Sequence, residues 1–190
     1  RNSFKETSGE FSLNLVTGIG RAGGIHVGIL ANQPMVLAGT IDCDAAEKGI
    51  RFLKQCKKLK LPLLVISDVP SFLPGTLQEK KGIEMKGGRF LKAMIRLDTP
   101  KITLILHKSF GGAYIAMNSL GLGADQVYAW PGSTIGIMGG RMSASLSKGI
   151  SHLSLEDHLK SGSLSGIIMP EDTRKILIQA FQDGKNREVR

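Results

Sequence analysis

Apolar residues in this chain recur with two periods, and the switches between them outline its elements. Leu13–Thr17 and Ile25–Leu30 are β-type runs, and Ala22-Gly23-Gly24 between them predicts a hairpin. Asn32–Thr40 continues as extended chain and loop. Asp44-Ala-Ala-Glu47 has the form of a capping box. Behind it Ala46, Ile50, Leu53 and Cys56 repeat at helical spacing, predicting a helix that ends near Leu61-Pro62. Leu63–Ile66 reads as a short strand buried on both faces. A loop follows from Asp68 to Gly75, punctuated by Pro70 and Pro74. A helix from about Glu84 to Leu97 is then broken by Asp98-Thr99-Pro100. Ile102–Leu106, Val127–Ala129 and Thr134–Met138 are further strands. A last helix, Glu171–Phe181, carries Ile176, Leu177, Ala180 and Phe181 on one stripe.

Strands alternating with helices indicate an α/β core, and 190 residues suffice for one well-cored domain, residues 1–190. Gly139–Ser165, rich in Ser, Gly and Lys, is expected to be mobile or poorly packed. Aromatics are only 5 % of the chain, so stacking platforms for nucleic acid are poorly supplied. The net charge of +9 is compatible with a polyphosphate-bearing molecule such as coenzyme A. The dense run Lys57-Lys58-Leu59-Lys60 reads as a solvated helix end, where cations favour the dipole. Cys43 and Cys56 offer neither a disulfide framework nor metal spacing, which fits a cytoplasmic or mitochondrial-matrix compartment. No apolar run is long enough to span a bilayer. The first residue is Arg1 rather than Met, so the chain is read as a piece of a longer polypeptide.

The chemistry concentrates in Lys108-Ser-Phe-Gly-Gly-Ala-Tyr-Ile-Ala-Met117, between the Ile102 strand and a helix-forming run. Paired glycines at such a turn leave backbone N–H groups bare at the positive end of a helix dipole. That suits an anion or a carbonyl oxygen gaining charge, although Gly111 and Gly112 serve equally well to let helix and strand pack closely. Gly18-Ile-Gly20-Arg-Ala-Gly23 matches a dinucleotide fingerprint, but the β-type run after it assigns those glycines to a hairpin. No nucleophile elbow is present. His26, His107, His152 and His158 have no metal-ligand spacing and read as surface or edge-strand residues. Asp68, followed by Val69-Pro70, reads as a loop anchor. Without an acid–base constellation, backbone oxyanion stabilisation is the chemistry the sequence supports.

Several segments recur in order: Asn32–Thr40, Asp68–Thr76 with Gln78-Glu79, Gly111-Gly-Ala-Tyr114, Leu122-Gly-Ala-Asp125, and Ala129-Trp-Pro131 with Ile137-Met-Gly139. On these residues the chain resembles the C-terminal half of the carboxyltransferase β subunit of biotin-dependent acyl-CoA carboxylases, acetyl- and propionyl-CoA types. The match runs from about Ser3 to Gly140 and resumes at Ser165–Pro170 with Asp172-Thr-Arg174.

The resemblance implies a crotonase-like (ClpP/crotonase) fold of repeated ββα units. It implies biotin, carried on a partner, and a coenzyme A thioester as substrate. It further implies an N-terminal half that binds acyl-CoA, biotin carboxylase and biotin carboxyl carrier components, and a homo-oligomer, trimer or hexamer. By resemblance the N–H groups of Gly112 and Ala113 hold the biotin ureido oxygen. Ile115 lines the acyl pocket, of the type found in relatives favouring acetyl-CoA, and Gly111, Tyr114, Pro74 and Gly75 are further substrate-binding positions. Three departures stand out: the half that would bind coenzyme A is not in this sequence, so the chain alone is not expected to complete the reaction; Ser71 replaces a usual glycine; and Gly140–Ser165 is shorter than the family's helical segment. A non-catalytic assembly half and an acyl-CoA decarboxylase of the same fold are the alternative readings.

Overall fold

The computed structural model describes residues 3–136 and 153–188, with side chains to residue 184. Its strands are β1 (Lys5–Thr7), β2 (Leu15–Ala22), β3 (Ile25–Asn32), β4 (Leu63–Val69), β5 (Lys101–Phe110), β6 (Gln126–Ala129), β7 (Thr134–Gly136) and β8 (Gly166–Ile167). They form a sheet ordered β1-β2-β3-β4-β5-β6-β8. β2 and β3 are the expected antiparallel hairpin, and the pairs from β3 to β8 are parallel. The first half of β5 pairs with β6 and its last residues pair with β7. Gly18 and Gly20 lie inside β2, as the hairpin reading requires; a Cβ at Gly18 would come within 2.5 Å of the Phe4 ring.

The helices are α1 (Cys43–Lys58), α2 (Thr76–Lys80), α3 (Ile83–Ile95), α4 (Gly111–Ala116), α5 (Leu155–Lys160) and α6 (Thr173–Glu188). The hairpin β2–β3 followed by α1 is one ββα unit. The N-cap of α1 is Asp42, whose carboxylate accepts from the Ala45 N–H at 2.8 Å, not the Asp44-x-x-Glu47 box expected from the sequence. Asp44 sits in the first turn, where its charge still favours the dipole. The helix closes at Lys58, earlier than expected, because Lys60 turns left-handed (φ 50°). β4 runs through Asp68 to Val69, so the loop expected at Asp68 begins later.

Both faces of the sheet are buried. Leu63 and Val65 point into a core with Phe52, Leu53 and Cys56 of α1, Phe90 and Met94 of α3, and Ala113 and Ala116 of α4. Leu64, Ile102 and Leu104 face the other way onto Leu177, Ala180 and Phe181, the stripe read for the last helix. This period-2 partition makes β4 a continuous apolar run. At the far end of the sheet, Ile105, Val127, Ala129 and Ile135 close on Leu164. Within residues 153–165 the short helix α5 forms and His158 and Leu164 are buried, while most of the other side chains are exposed; the rest of that segment, with Ile137-Met-Gly139, lies outside the described residues.

Candidate active site

β5 leaves the sheet at Phe110 and the chain turns directly into α4. The two glycines there have different physical reasons. Gly111 has φ 58°, a left-handed conformation that favours glycine. Gly112 has no such φ, and a Cβ there would meet only the Phe72 ring at 3.9 Å, an ordinary contact. Nothing described in this chain requires position 112 to lack a side chain, and its exposed face is left open. The first N–H groups of α4 have no intrahelical partner. Because α4 has only six residues, those N–H groups matter more than any macrodipole.

The next three side chains diverge. Ala113 is fully buried in the α1–α3 core. Tyr114 packs against the cluster around Ile105 and Ile135, and burial pushes its phenol above its ordinary pKa. Ile115 is 45 % exposed, beside an exposed glycine.

The loop carrying Pro74 and Gly75 is pinned beside this turn. Ile41 N–H donates to the Ser71 carbonyl (3.1 Å) and Leu73 N–H donates to the Ile41 carbonyl (2.9 Å). Phe72, between them, places its ring against the faces of both Gly87 and Gly112. Pro74 and Gly75 are exposed, and Gly75, at φ 122°, precedes the first residue of α2. Ser71 is not among the residues with positive φ, so its replacement of glycine imposes no strain.

Sequence reasoning missed a polar cluster below the turn. Lys108 Nζ donates to Asp68 Oδ1 at 2.6 Å, and His107 Nδ1 lies 3.6 Å from the same oxygen. Ser67 and Ser109 hydroxyls meet at 2.9 Å, and Asp68 N–H donates to Asn32 Oδ1 at 3.2 Å. Asn32, Asp68 and Lys108 come from the carboxyl ends of β3, β4 and β5, where open parallel sheets hold their ligands. The available signal was a charged residue inside each of two apolar strands.

Of the histidines, His107 alone among the described residues lies in this cluster, and it shares the Asp68 carboxylate with Lys108. His26 accepts from Arg21 Nε at the exposed hairpin. His158, expected at the surface, is buried, with its ring nitrogens against Ser163 Oγ and the Ile135 carbonyl; Ile135 packs in the same cluster, so the ring is a core polar contact. His152 lies outside the described residues. Among the described residues no three His, Cys, Asp or Glu groups could hold a metal, and no helix is long and apolar enough to cross a membrane. A groove of about 590 Å³ between α1 and α3 gathers Lys54, Lys57, Arg89, Lys92 and Arg96. Lys57 and Lys92 sit in the last turns of their helices, and Arg96 caps α3, where the dipole favours cations.

A mixed α/β sheet with a double-glycine turn whose second glycine, Gly112, is exposed is the class this geometry defines, and solved relatives place it among crotonase-like folds. A crystal structure of a transcarboxylase 12S subunit, reported as a hexamer with hydrolysed methylmalonyl-coenzyme A bound, superposes with a TM-score of 0.90 at 36 % identity, over 96 % of this chain and 38 % of that one. The chain belongs to the carboxyl transferase domain family, whose pattern matches residues 1–149. It is 40 % identical to a putative propionyl-CoA carboxylase beta chain of Bacillus subtilis, over 94 % of this chain and 39 % of that protein. It is 46 % identical to the methylmalonyl-CoA decarboxylase subunit alpha of Propionigenium modestum, over 72 % of this chain and 26 % of that protein. The chain thus spans well under half the length of these relatives.

Proposed function

We propose that this chain is the biotin-side, C-terminal half of an acyl-CoA carboxyltransferase, a single crotonase-like domain that completes its site with an acyl-CoA-binding half. The observation that carries this is Gly112: an exposed glycine with ordinary φ and no described neighbour to exclude a side chain, at a turn whose N–H groups lack helical partners. A carbonyl-type oxygen fits that open face. Biotin bound there would supply the carboxyl group and, through its ureido nitrogen, a base for the α-carbon of the thioester. The chain's part is to hold the ureido oxygen with Gly112 and Ala113 N–H as charge builds on it, without reorganisation during the reaction. Ile115 and the exposed Pro74-Gly75 loop border the same face and line the acyl and biotin approaches, with Gly111 and Tyr114 fixing the turn.

A biotin carrier is the partner this reaction demands, with a biotin carboxylase to reload it if the enzyme carboxylates, in a cytoplasmic or matrix compartment. Trimeric or hexameric assembly is supported by the hexamer of the transcarboxylase 12S relative. Propionyl-CoA is the thioester named for the Bacillus relative, whereas Ile115 favours acetyl-CoA, so both belong in the assay. The name of the decarboxylase relative supports a second reading, in which the same face would serve decarboxylation of an acyl-CoA.

The test is Ala113→Pro in the full-length enzyme, assayed for carboxyl transfer from malonyl- or methylmalonyl-CoA to free biotin. Proline deletes the N–H donor, so kcat is expected to fall about 10²–10³-fold. Thermal unfolding of the variant checks the turn. Normal transfer by a well-folded Ala113→Pro enzyme overturns the proposal.

A further inference from the structure

Between the pairs Ser67–Ile105 and Val69–Ser109 the register of β4 and β5 shifts: β4 contributes one residue, Asp68, where β5 contributes Leu106, His107 and Lys108. The longer strand must bend there, and bulges of this kind re-aim the chain beyond them. The chain beyond this one is Phe110 and then the glycine turn, only three residues after Lys108.

The irregularity is closed by side chains on both sides. Ser67 and Ser109 hydroxyls meet at 2.9 Å just beyond it. Within it, Asp68, whose side chain is 12 % exposed, takes Lys108 Nζ at 2.6 Å, itself 20 % exposed. A short ion pair at this burial is not a free surface contact. Asp68 is also held from behind. Its N–H donates to Asn32 Oδ1, Asn32 Nδ2 donates to the Gly39 carbonyl at 3.0 Å, and a Cβ at Gly39 would come within 2.5 Å of the Asp68 carbonyl. Gly39 follows Leu37 and Ala38, both at positive φ (49° and 53°). The Asp68 backbone on β4 is therefore held by Asn32 and closely backed by Gly39, and Lys108 is the one cation among the described residues that ties the bent end of β5 to it with a direct hydrogen bond. His107, 71 % exposed and 3.6 Å away, adds little.

We infer that the Asp68–Lys108 pair is a positioning clamp: it fixes the bend of β5 and thereby the aim of the Gly112 and Ala113 N–H groups. This rests on the function proposed above for that turn. As a positioning pair, the two residues act through the backbone of β5.

The test uses the full-length enzyme and two readouts. The first is hydrogen exchange of the peptide spanning the turn, against a control peptide in α1. The second is kcat and KM for transfer to free biotin. Asp68→Asn and Lys108→Met should each speed exchange at the turn but not in α1. Each should lower kcat about ten- to a hundredfold, the cost of slight misplacement, with KM for the thioester little changed. Lys108→Arg, which can still reach Asp68, should recover both. The double variant Asp68→Asn/Lys108→Met leaves no buried charge unpaired. It should regain thermal stability over Lys108→Met yet keep the fast turn and the low kcat. A double variant with wild-type turn exchange and kcat overturns the clamp. Gly112→Ala separates the two claims: if it is fully active the reading of the turn fails, whereas turn exchange in the Lys108 and Asp68 variants still decides whether the clamp exists.

Discussion

Single residues carry most of the chemistry, and their environments differ sharply over short distances. Ile115 is exposed one residue from a half-buried tyrosine and two from a fully buried alanine. If it lines the acyl pocket, Ile115→Asp shifts the kcat/KM ratio of acetyl-CoA to propionyl-CoA in the full enzyme. One methylene in an apolar pocket is worth about 1–3 kcal/mol, so the shift is expected to be tens of fold and no more. An unmoved ratio removes Ile115 from the pocket. Cys56 makes a different prediction. Burial pushes its thiol up to about 12, so essentially no thiolate exists near neutral pH. Alkylation of the native protein followed by mass spectrometry should leave Cys56 unmodified until the chain unfolds. Modification at the native rate of an exposed thiol would contradict its place in the core.

At the scale of elements, the sequence pattern marked those strands and helices whose burial follows one period. β4, β5, α1, α3 and α6 were legible because alternate or helically spaced positions enter distinct cores. β1 was not, since Lys5-Glu6-Thr7 is an edge strand with no apolar face. α2 was missed because five residues behind a glycine at φ 122° carry too little pattern. The cap of α1 went to Asp42 rather than Asp44 because three-dimensional reach decides between two aspartates two residues apart. Asp42→Ala should cost about 1 kcal/mol, a typical N-cap loss, and slightly more because Asn14 Nδ2 also donates to that carboxylate at 3.2 Å. Asp44→Ala should cost only a few tenths, the smaller dipole contribution. Denaturant titration of both variants distinguishes them. The α1–α3 seam offers a second check: a Cβ at Gly49 would lie 2.3 Å from the Phe90 ring. Gly49→Ala should therefore destabilise, by about 1–3 kcal/mol, despite alanine's better helix propensity.

For the whole molecule, the glycine turn was legible in the sequence but its supporting cluster was not. Asp68 and Lys108 are forty residues apart in sequence and meet only because β4 and β5 pair in parallel. No local spacing encodes such a contact. The surface also carries exposed apolar side chains. Met35 (88 % exposed), Leu37, Leu77, Met85 and Ile115 present apolar side chains to solvent. If the function proposed above holds, part of that surface is covered by a partner half or by another protomer. The isolated chain should then self-associate or aggregate at micromolar concentration. A monodisperse monomer by sedimentation across a wide concentration range would count against an obligate interface here.

The central claim is that backbone N–H groups at an open glycine, and no side-chain base, carry the chemistry. Gly112→Ala tests it most directly, because the added methyl meets nothing closer than Phe72 at 3.9 Å and alanine favours a helix. In the full-length enzyme, thermal stability should be unchanged or higher, while carboxyl transfer to free biotin falls about 10²-fold as the approach to the donors is blocked. His107→Ala in the same enzyme should cost little. A stable Gly112→Ala enzyme with wild-type kcat, or an inactive His107→Ala enzyme, would contradict the backbone mechanism.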